Sequence, residues 1–164
     1  CLVGSEMCIR DSTIIIHCSA THAGQDIKAK DIDRMHRARG FSQIGYNYVI
    51  DLDGTVETGR PLTIAGAHCI GYNDHSIGIC YIGGLDANGK PSDTRTPAQK
   101  AAMDDLINDI CQVYDIVELL GHRDTSPDLN NDGVVEPFEF IKSCPCFDVR
   151  DEYKSFLKPI IVKP

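Results

Sequence analysis

A run dominated by β-branched residues, Thr13–Cys18, most strongly limits what this chain can fold into. Such a run, followed by polar residues, predicts a buried central strand whose end carries His17. Residues 76–82 and 116–120 are comparable runs, and the second leads through a glycine into His122. Because segments of helical pattern separate these runs, the sequence predicts an α/β fold: one domain with a central mixed β-sheet flanked by helices. Histidines are therefore expected at strand ends.

Three helices are predicted, over residues 26–39, 97–114 and 149–157. The second is the clearest, since Thr96 and Gln99 form a capping box around a proline at the first helical position. Each of the first two helices carries an apolar stripe that is expected to face the core. These stripes are Ile27, Ile32 and Met35 in the first helix, and Leu106, Ile110 and Val113 in the second.

A hairpin is predicted between the first two helices. Asp53 and Gly54 join residues 46–51 to residues 55–58, and this dipeptide between alternating apolar residues is a strong turn signal. The hairpin supplies the antiparallel pairing that makes the predicted sheet mixed.

Composition and charge exclude several classes of partner. The chain has 164 residues, which suits a single domain. Its formal net charge is −8, whereas domains that bind phosphate backbones carry clustered Lys and Arg. No apolar run approaches the ~18–20 residues of a membrane span. We therefore expect no nucleic-acid partner and no membrane partner, and we expect a monomer.

Residues 1–12 fit no targeting signal, because they lack the basic start, the long apolar stretch and the cleavage site of a secretory signal. They resemble translated vector sequence and are interpreted as a non-native prefix. The domain is then assigned to residues 13–164, and the sequence leaves the cellular location open.

The eight cysteines differ in their surroundings. Cys1 and Cys8 lie in the prefix, and Cys69 has no assigned role. Cys144 and Cys146 flank a proline in a loop-like stretch and need a chemical explanation. The remaining cysteines lie in apolar runs, which predicts buried free thiols: Cys18, Cys80 and Cys111.

Two histidines and one cysteine suggest a metal site. His17 and His122 are both expected at strand carboxyl ends, where ligands bind in open α/β sheets. Cys144 offers a third soft ligand, and two imidazoles with one thiolate suit zinc while leaving one coordination position open for catalysis. The alternative is that each histidine is a structural or surface residue. That interpretation is kept for His22, His36 and His75.

Several strings together resemble one enzyme family. The type 2 N-acetylmuramoyl-L-alanine amidases, which include amidase-type phage lysozymes and peptidoglycan recognition proteins, show similar strings in the same order. The strings cover most of residues 13–157 and are Ile16-His17-Cys18-Ser19-Ala20-Thr21, Gly45-Tyr46-Asn47-Tyr48-Val49-Ile50, Asp53-Gly54-Thr55-Val56-Glu57, Gly59-Arg60, Gly66-Ala67-His68, Gly71-Tyr72-Asn73, Ser76-Ile77-Gly78-Ile79, Thr96-Pro97-Ala98-Gln99, Gly121-His122-Arg123-Asp124 and Lys142-Ser143-Cys144-Pro145-Cys146-Phe147-Asp148.

The resemblance implies a lytic, endolysin-like zinc amidase that acts on peptidoglycan or muropeptides. Such an enzyme cuts the amide bond between N-acetylmuramic acid and the L-alanine of the stem peptide. Each functional residue of the family is matched by position in this chain. The resemblance implies zinc ligands His17, His122 and Cys144, active-site residues Tyr46 and Lys142, and groove residues His68 and Asn73, with Cys146 as a bystander whose thiol could replace that of Cys144.

Two other functions stay open at this point. One is a recognition module that binds muropeptides without cutting them, although binding-only relatives typically lack the cysteine ligand that this chain keeps. The other is a zinc peptidase that acts within the stem peptide.

Residues 128–139 match the calcium-loop pattern D-x-[DN]-x-[DN]-G-x5-E. Calcium would be a second ion beside zinc, and it would brace the loop that presents Lys142 and Cys144. The alternative is a surface turn stabilised by its own side-chain hydrogen bonds, without an ion. The calcium ligands in this interpretation are Asp128, Asn130, Asp132, the carbonyl of Val134, and Glu139.

Overall fold

The computed structural model describes residues 12–157. The predicted prefix, residues 1–12, lies outside the described residues except for Ser12, and residues 158–164 of the predicted domain lie outside them too. Within the described range, no helix combines the length and the apolar character needed to cross a membrane.

The strands form one main sheet and one small sheet. The strands are β1 (Thr13–Cys18), β2 (Thr21–His22), β3 (Tyr48–Ile50), β4 (Val56–Thr58), β5 (Ser76–Tyr81), β6 (Gly84–Leu85) and β7 (Glu118–Gly121). The main sheet has the order β4-β3-β5-β1-β7, and β2 pairs with β6 separately. Only the β3–β4 hairpin is antiparallel in the main sheet, so the predicted mixed sheet and its hairpin are confirmed.

Within residues 12–157, three α-helices accompany the sheet: α1 (Ala29–Ala38), α2 (Pro97–Val113) and α3 (Val149–Tyr153). Short 3-10 helices span His122–Thr125, Pro137–Glu139 and Lys154–Phe156. The capping box of Thr96 and Gln99 begins α2 as predicted. The helix predicted over 149–157 is α3 followed by the last 3-10 turn.

The first helix begins later than the predicted residue 26. Lys28 is extended and caps α1, and its backbone N–H donates to the Asp31 carboxylate over 2.9 Å. The carboxylate of Glu57 accepts the N–H of Ala29 at 2.8 Å. These two acceptors satisfy N–H groups that a helix leaves free at its start, so they fix the boundary at Ala29. The predicted stop at Gly40 is confirmed by its φ of +93°.

The sheet is covered on both faces, and the two faces differ. Ile14 and Ile16 of β1 pack with residues of α2 such as Met103 and Ile107 in the largest apolar cluster. On the opposite face, Ile15 packs in a small cluster with residues from outside the helices. Helix α1 contributes to a third cluster on the β3 and β5 strands through Ala29 and Ile32.

The predicted helix stripes are partly wrong. The stripe that α2 buries follows Gln99, Met103, Ile107 and Ile110, which recur at helical spacing. Val113 is 75% exposed, because the last turn of α2 extends past this stripe to solvent. In α1, Ile32 is buried as predicted, whereas Met35 is 45% exposed and Ala29 and His36 are buried instead.

None of the six cysteines in the described range forms a disulfide bond. Cys18 and Cys80 are buried, as predicted, and Cys69 is buried too. Cys111 is only partly buried, because it lies at the edge of the stripe by which α2 faces the sheet.

Candidate functional site

The carboxyl ends of β1 and β7 bring His17 and His122 together. Ile16 is paired with Gly121 in the parallel ladder, so the histidine that follows each of them lies at the same level. The ring centroids of the two histidines are 4.6 Å apart. The two imidazoles therefore lie side by side at the strand ends, where the sequence pattern predicted them.

Cys144 joins these histidines from the loop that precedes α3. The ligand atoms of His17, His122 and Cys144 all lie within 4.8 Å of one another. Among residues 12–157, these are the only three His, Cys, Asp or Glu side chains arranged closely enough to share one metal ion. The loop is held in place because the N–H of Arg123 donates to the carbonyl of Cys144 over 2.7 Å.

The two cysteines of the Cys-Pro-Cys segment have different environments. The Sγ of Cys144 accepts the backbone N–H of Cys18 at 3.2 Å and lies 4.0 Å from Nδ1 of His17. The Sγ of Cys146 instead donates to the carbonyl of Gly84 over 3.4 Å. The Sγ of Cys144 thus faces the His17 imidazole, whereas that of Cys146 is turned toward a backbone carbonyl. The geometry therefore favours Cys144, and not Cys146, as a metal ligand.

The thiols next to Cys144 stay protonated. A hydrogen bond with Cys144 raises the pKa of Cys18 to about 12. A hydrogen bond with Cys18, together with burial, raises the pKa of Cys146 far above its ordinary value. Both thiols therefore hold their protons more tightly than an ordinary cysteine, and replacement of Cys144 by Cys146 as a ligand stays a prediction.

His17 is enclosed by protein and is 1% exposed. Its Nε2 lies 3.0 Å from Nδ1 of His68, which leaves Nδ1 of His17 facing Cys144. Burial lowers the pKa of His17 well below its ordinary value, and the positive charge that His68, His122 and Lys142 can carry lowers it further. His17 is therefore a neutral imidazole, which is the form that binds a metal ion.

Tyr46 and Lys142 line the same groove as His122. This groove has a volume of about 560 Å³ and runs along the surface beside the three clustered side chains. The ring centroid of Tyr46 is 5.0 Å from that of His17. Burial raises the pKa of Tyr46 well above its ordinary value, so its hydroxyl keeps its proton. Lys142 is exposed at the rim.

His68 and Asn73 also line the groove, but their hydrogen bonds point into the protein. The Oδ1 of Asn73 accepts the backbone N–H groups of His68 and Cys69, each at 2.9 Å. His68 is 9% exposed, and burial lowers its pKa to about 4. Both residues therefore organise the wall of the groove, and their contact with substrate stays a prediction.

Sequence reasoning missed three groups of residues around the site. The groove also has contributions from Arg39, Phe41, Ile70 and Ile141. Ser76, Gly66 and Gly78 also surround the site, and the local sequence gives none of them a role of its own. Both glycines lie against the His68 ring without a positive φ, so the available signal was glycine at two positions that no turn explains.

The three histidines assigned to structural or surface positions include one buried residue. Nδ1 of His36 accepts the N–H of Gly45 at 2.9 Å. His22 is exposed, and Nδ1 of His75 lies 2.6 Å from the Asp74 carboxylate. None of the three belongs to the cluster of His17, His122 and Cys144.

The loop over residues 128–139 is rich in internal hydrogen bonds. Asp128 accepts the N–H groups of Asn131 and Gly133, and buried Glu139 accepts the N–H of Leu129 at 2.7 Å. The other two predicted side-chain ligands behave similarly, since Asn130 accepts from Asp132, and Asp132 accepts from Val134. These bonds satisfy the loop without an ion, as the alternative interpretation requires, and calcium binding there stays a prediction.

Comparison with known proteins gives consistent matches. Residues 10–133 match the family described as N-acetylmuramoyl-L-alanine amidase, a segment that includes His17, Tyr46, His68 and His122 and ends before Lys142. The endolysin of Klebsiella phage KP32 is 37% identical over 139 residues, which are 85% of this chain and 83% of that protein. The endolysin of Escherichia phage T7 is 36% identical over 143 residues, covering 86% and 85%.

A solved structure has the same fold over nearly the whole chain. The N-acetylmuramoyl-L-alanine amidase LysC from Clostridium intestinale URNW superposes with a TM-score of 0.69 at 26% sequence identity. The match covers 93% of this chain and 89% of LysC.

Proposed function

The chain belongs to the N-acetylmuramoyl-L-alanine amidase family, and from this premise we propose that it is a zinc-dependent enzyme that cleaves peptidoglycan. The bond cut is the amide between the lactyl group of N-acetylmuramic acid and the L-alanine of the stem peptide. One observation carries the proposal: His17, His122 and Cys144 converge beside a groove that Tyr46 and Lys142 line.

The three clustered side chains fit a catalytic zinc site. Two imidazoles and a thiolate are typical zinc ligands, and three protein ligands leave one position for water or substrate. The fit extends to the surroundings, since Cys144 accepts a backbone N–H and His17 is hydrogen-bonded through the nitrogen that faces away from the cluster. When bound, zinc supplies a Lewis acid that polarises a carbonyl and makes water acidic near neutral pH.

Hydrolysis of the amide requires charge stabilisation and proton transfer. Water adds its oxygen to the carbonyl carbon, the C–N bond breaks, and the amine of L-alanine leaves with a proton. Negative charge develops on the carbonyl oxygen, and the ammonium of Lys142 at the groove rim stabilises it. Tyr46 keeps its proton because it is buried, so its hydroxyl can donate a hydrogen bond to the water or a proton to the leaving amine.

The groove suits an extended, polar substrate. It is open to solvent along the surface, and its rim combines the cations Arg39 and Lys142 with apolar side chains such as Phe41 and Ile70. A stem peptide offers carboxylates to the cations and aliphatic carbons to the apolar residues. Because the relatives of this chain include phage endolysins, we propose a lytic, endolysin-like role, and we propose that the chain acts as a monomer.

Product analysis separates this proposal from its two alternatives. Purified peptidoglycan is incubated with the zinc-loaded protein, and the soluble products are identified by mass spectrometry. Lactyl carboxylates on the glycan together with intact stem peptides support the amidase. Unchanged sacculi that retain the protein would favour a binding module, and fragments cut within the stem would favour a peptidase. Protein stripped of metal by a chelator and then reloaded with zinc is the matched control.

A further inference from the structure

His68 links the metal cluster to the protein interior. Its Nδ1 lies 3.0 Å from Nε2 of His17, and its Nε2 lies 3.4 Å from the hydroxyl of Ser76. The Ser76 hydroxyl in turn lies 2.6 Å from the backbone carbonyl of Tyr72. All three side chains are buried, with exposures of 1% for His17, 9% for His68 and 5% for Ser76.

We call the hydrogen bonds that run from His17 through His68 and Ser76 to the carbonyl of Tyr72 the His68 relay. The carbonyl at its inner end fixes the direction of every hydrogen bond in the relay. A carbonyl only accepts, so the Ser76 hydroxyl donates to Tyr72 and accepts from Nε2–H of His68. Neutral His68 then presents Nδ1 as an acceptor, so His17 must donate through Nε2–H. Neutral His17 is left with its lone pair on Nδ1. That nitrogen is the one that faces Cys144.

Two glycines, Gly66 and Gly78, make room for the His68 ring. A Cβ at Gly66 would lie 2.6 Å from Cδ2 of His68, and a Cβ at Gly78 would lie at the same distance from that atom. Neither glycine has a positive φ, so space for the ring explains them, not backbone conformation. Asn73 fixes the backbone of His68 by accepting its main-chain N–H.

We propose that His68 is a positioning residue, which holds His17 in the tautomer and orientation that present Nδ1 to the metal, with Ser76 as its anchor. This inference rests on the proposed zinc-dependent function. It assigns His68 to the metal site in place of the substrate contact that the family resemblance implied. Partners of this kind typically change metal affinity by roughly 10–100-fold when they are removed.

The tautomers can be measured directly. Ring nitrogen–proton correlation spectra of zinc-loaded protein with labelled histidine are expected to show His68 and His17 both protonated on Nε2. In Ser76→Ala, His68 loses its anchor, and we expect it to become a mixture of the two tautomers. A wild-type His68 protonated on Nδ1 would overturn the proposal. It would then donate to His17, and every hydrogen bond of the relay would run in the opposite direction.

Zinc affinity provides the second measurement, made by competition with a chromophoric chelator and without substrate. We expect His68→Leu to weaken zinc binding by roughly 10–100-fold. His68→Asn should recover most of that loss, because its Oδ1 takes the place of the accepting Nδ1. His75→Leu, a neighbouring histidine outside the relay, is the matched control. Equal zinc affinity in wild type, His68→Leu and His75→Leu would overturn the proposal.

Failure of the proposed function would look different. If the wild-type protein binds zinc but leaves peptidoglycan uncut, the amidase proposal fails while the affinity series still decides the role of His68. If the wild type binds no zinc, the zinc proposal fails. The histidine tautomers measured in the metal-free protein then still test the proposed hydrogen-bond directions at His17 and His68. Ser76→Ala keeps the test decisive if His68→Leu does not fold.

Discussion

The two faces of the central sheet carry different kinds of side chain, and β1 shows the contrast within six residues. Ile14 and Ile16 point to the face that α2 covers and belong to the largest apolar cluster. Ile15 and His17 point to the opposite face, where β5 contributes Ser76 as a partner of the His68 relay. Because successive strand residues point to opposite faces, β1 contributes every second side chain to each face of the sheet.

The difference between the two faces shows where this fold gains its stability and where it holds its reactive side chains. The α2 face is mostly apolar, and its buried polar side chains are paired. Gln99 donates to the carbonyls of Ile50 and Ile82. The buried guanidinium of Arg95 forms ion pairs with Asp93 and Glu152. The other face buries several groups that can titrate, which costs free energy unless they are hydrogen-bonded. Substitutions on the α2 face should change stability, and those on the other face should change metal binding and activity.

The largest effect is expected at Cys144. Cys144→Ala removes one of three proposed zinc ligands, so we expect loss of stoichiometric zinc and a fall of amidase activity to background. Metal content is measured by elemental analysis, and activity by turbidity of a peptidoglycan suspension. Cys146→Ala, two residues away, is the matched control and should keep both zinc and activity. If Cys146→Ala loses zinc and Cys144→Ala keeps it, the ligand assignment is wrong.

The second effect concerns the groove residues that do not bind the metal. Lys142→Ala and Tyr46→Phe should lower kcat by roughly 10²–10³-fold, since each removes a group that acts on charge or protons in the transition state. Zinc content and the unfolding temperature should stay at wild-type values. Lys100→Ala, an exposed lysine on α2, serves as the control. Variants that keep full kcat would remove Lys142 and Tyr46 from the mechanism.

The third prediction tests the α2 face. Ile107 is fully buried in the large apolar cluster, so Ile107→Ala should lower the free energy of unfolding by about 2–5 kcal/mol. Val113→Ala, in the same helix but exposed, should change it by less than about 0.5 kcal/mol. Urea unfolding of both variants measures the effect. The folded fraction of Ile107→Ala should keep wild-type zinc affinity, and a parallel loss of affinity would show that the two faces are not independent.

Much of the fold could be predicted from local sequence. The β-branched run of β1 and the capping box of α2 are signals carried by neighbouring residues, and both are confirmed. The start of α1 could not be predicted, because Glu57 from a distant strand accepts the N–H of Ala29. Val113 was misassigned because periodicity identifies a helix face but not where along the helix the core ends.

Only part of the site could be predicted from local sequence. His17 and His122 could be placed at strand ends from the pattern alone, but Cys144 needed the family resemblance to be chosen over Cys146. The positioning role that we propose for His68 has no local sequence signal, because its partner His17 is 51 residues away in sequence. Hydrogen-bond direction depends on three-dimensional anchors such as the Tyr72 carbonyl, and no local pattern encodes them.

The smallest predicted effect is a pH dependence of stability that comes from His36, on the face of the sheet opposite α2. Its Nδ1 accepts the N–H of Gly45. Burial lowers the pKa of His36, and the nearby cations Arg39 and Arg60 lower it further, whereas Asp33 opposes the shift. The folded protein therefore binds fewer protons here than the unfolded chain. The contribution of His36 to stability is fully present above the unfolded pKa of about 6.5 and is lost as pH falls through that value toward the lowered folded value.

His36→Asn isolates this contribution, because asparagine keeps an acceptor near the position of Nδ1 but does not titrate. We expect the unfolding temperature of the wild type to fall more than that of the variant between pH 7.5 and pH 5.5, when both are measured by calorimetry without zinc. His22→Asn, an exposed histidine, should follow the wild type. Parallel curves for wild type and His36→Asn would mean that His36 adds no pH dependence. The effect should be smaller than that of Ile107→Ala, because it depends on one hydrogen bond and one shifted proton equilibrium. Ile107→Ala instead removes the packing of a buried side chain at every pH.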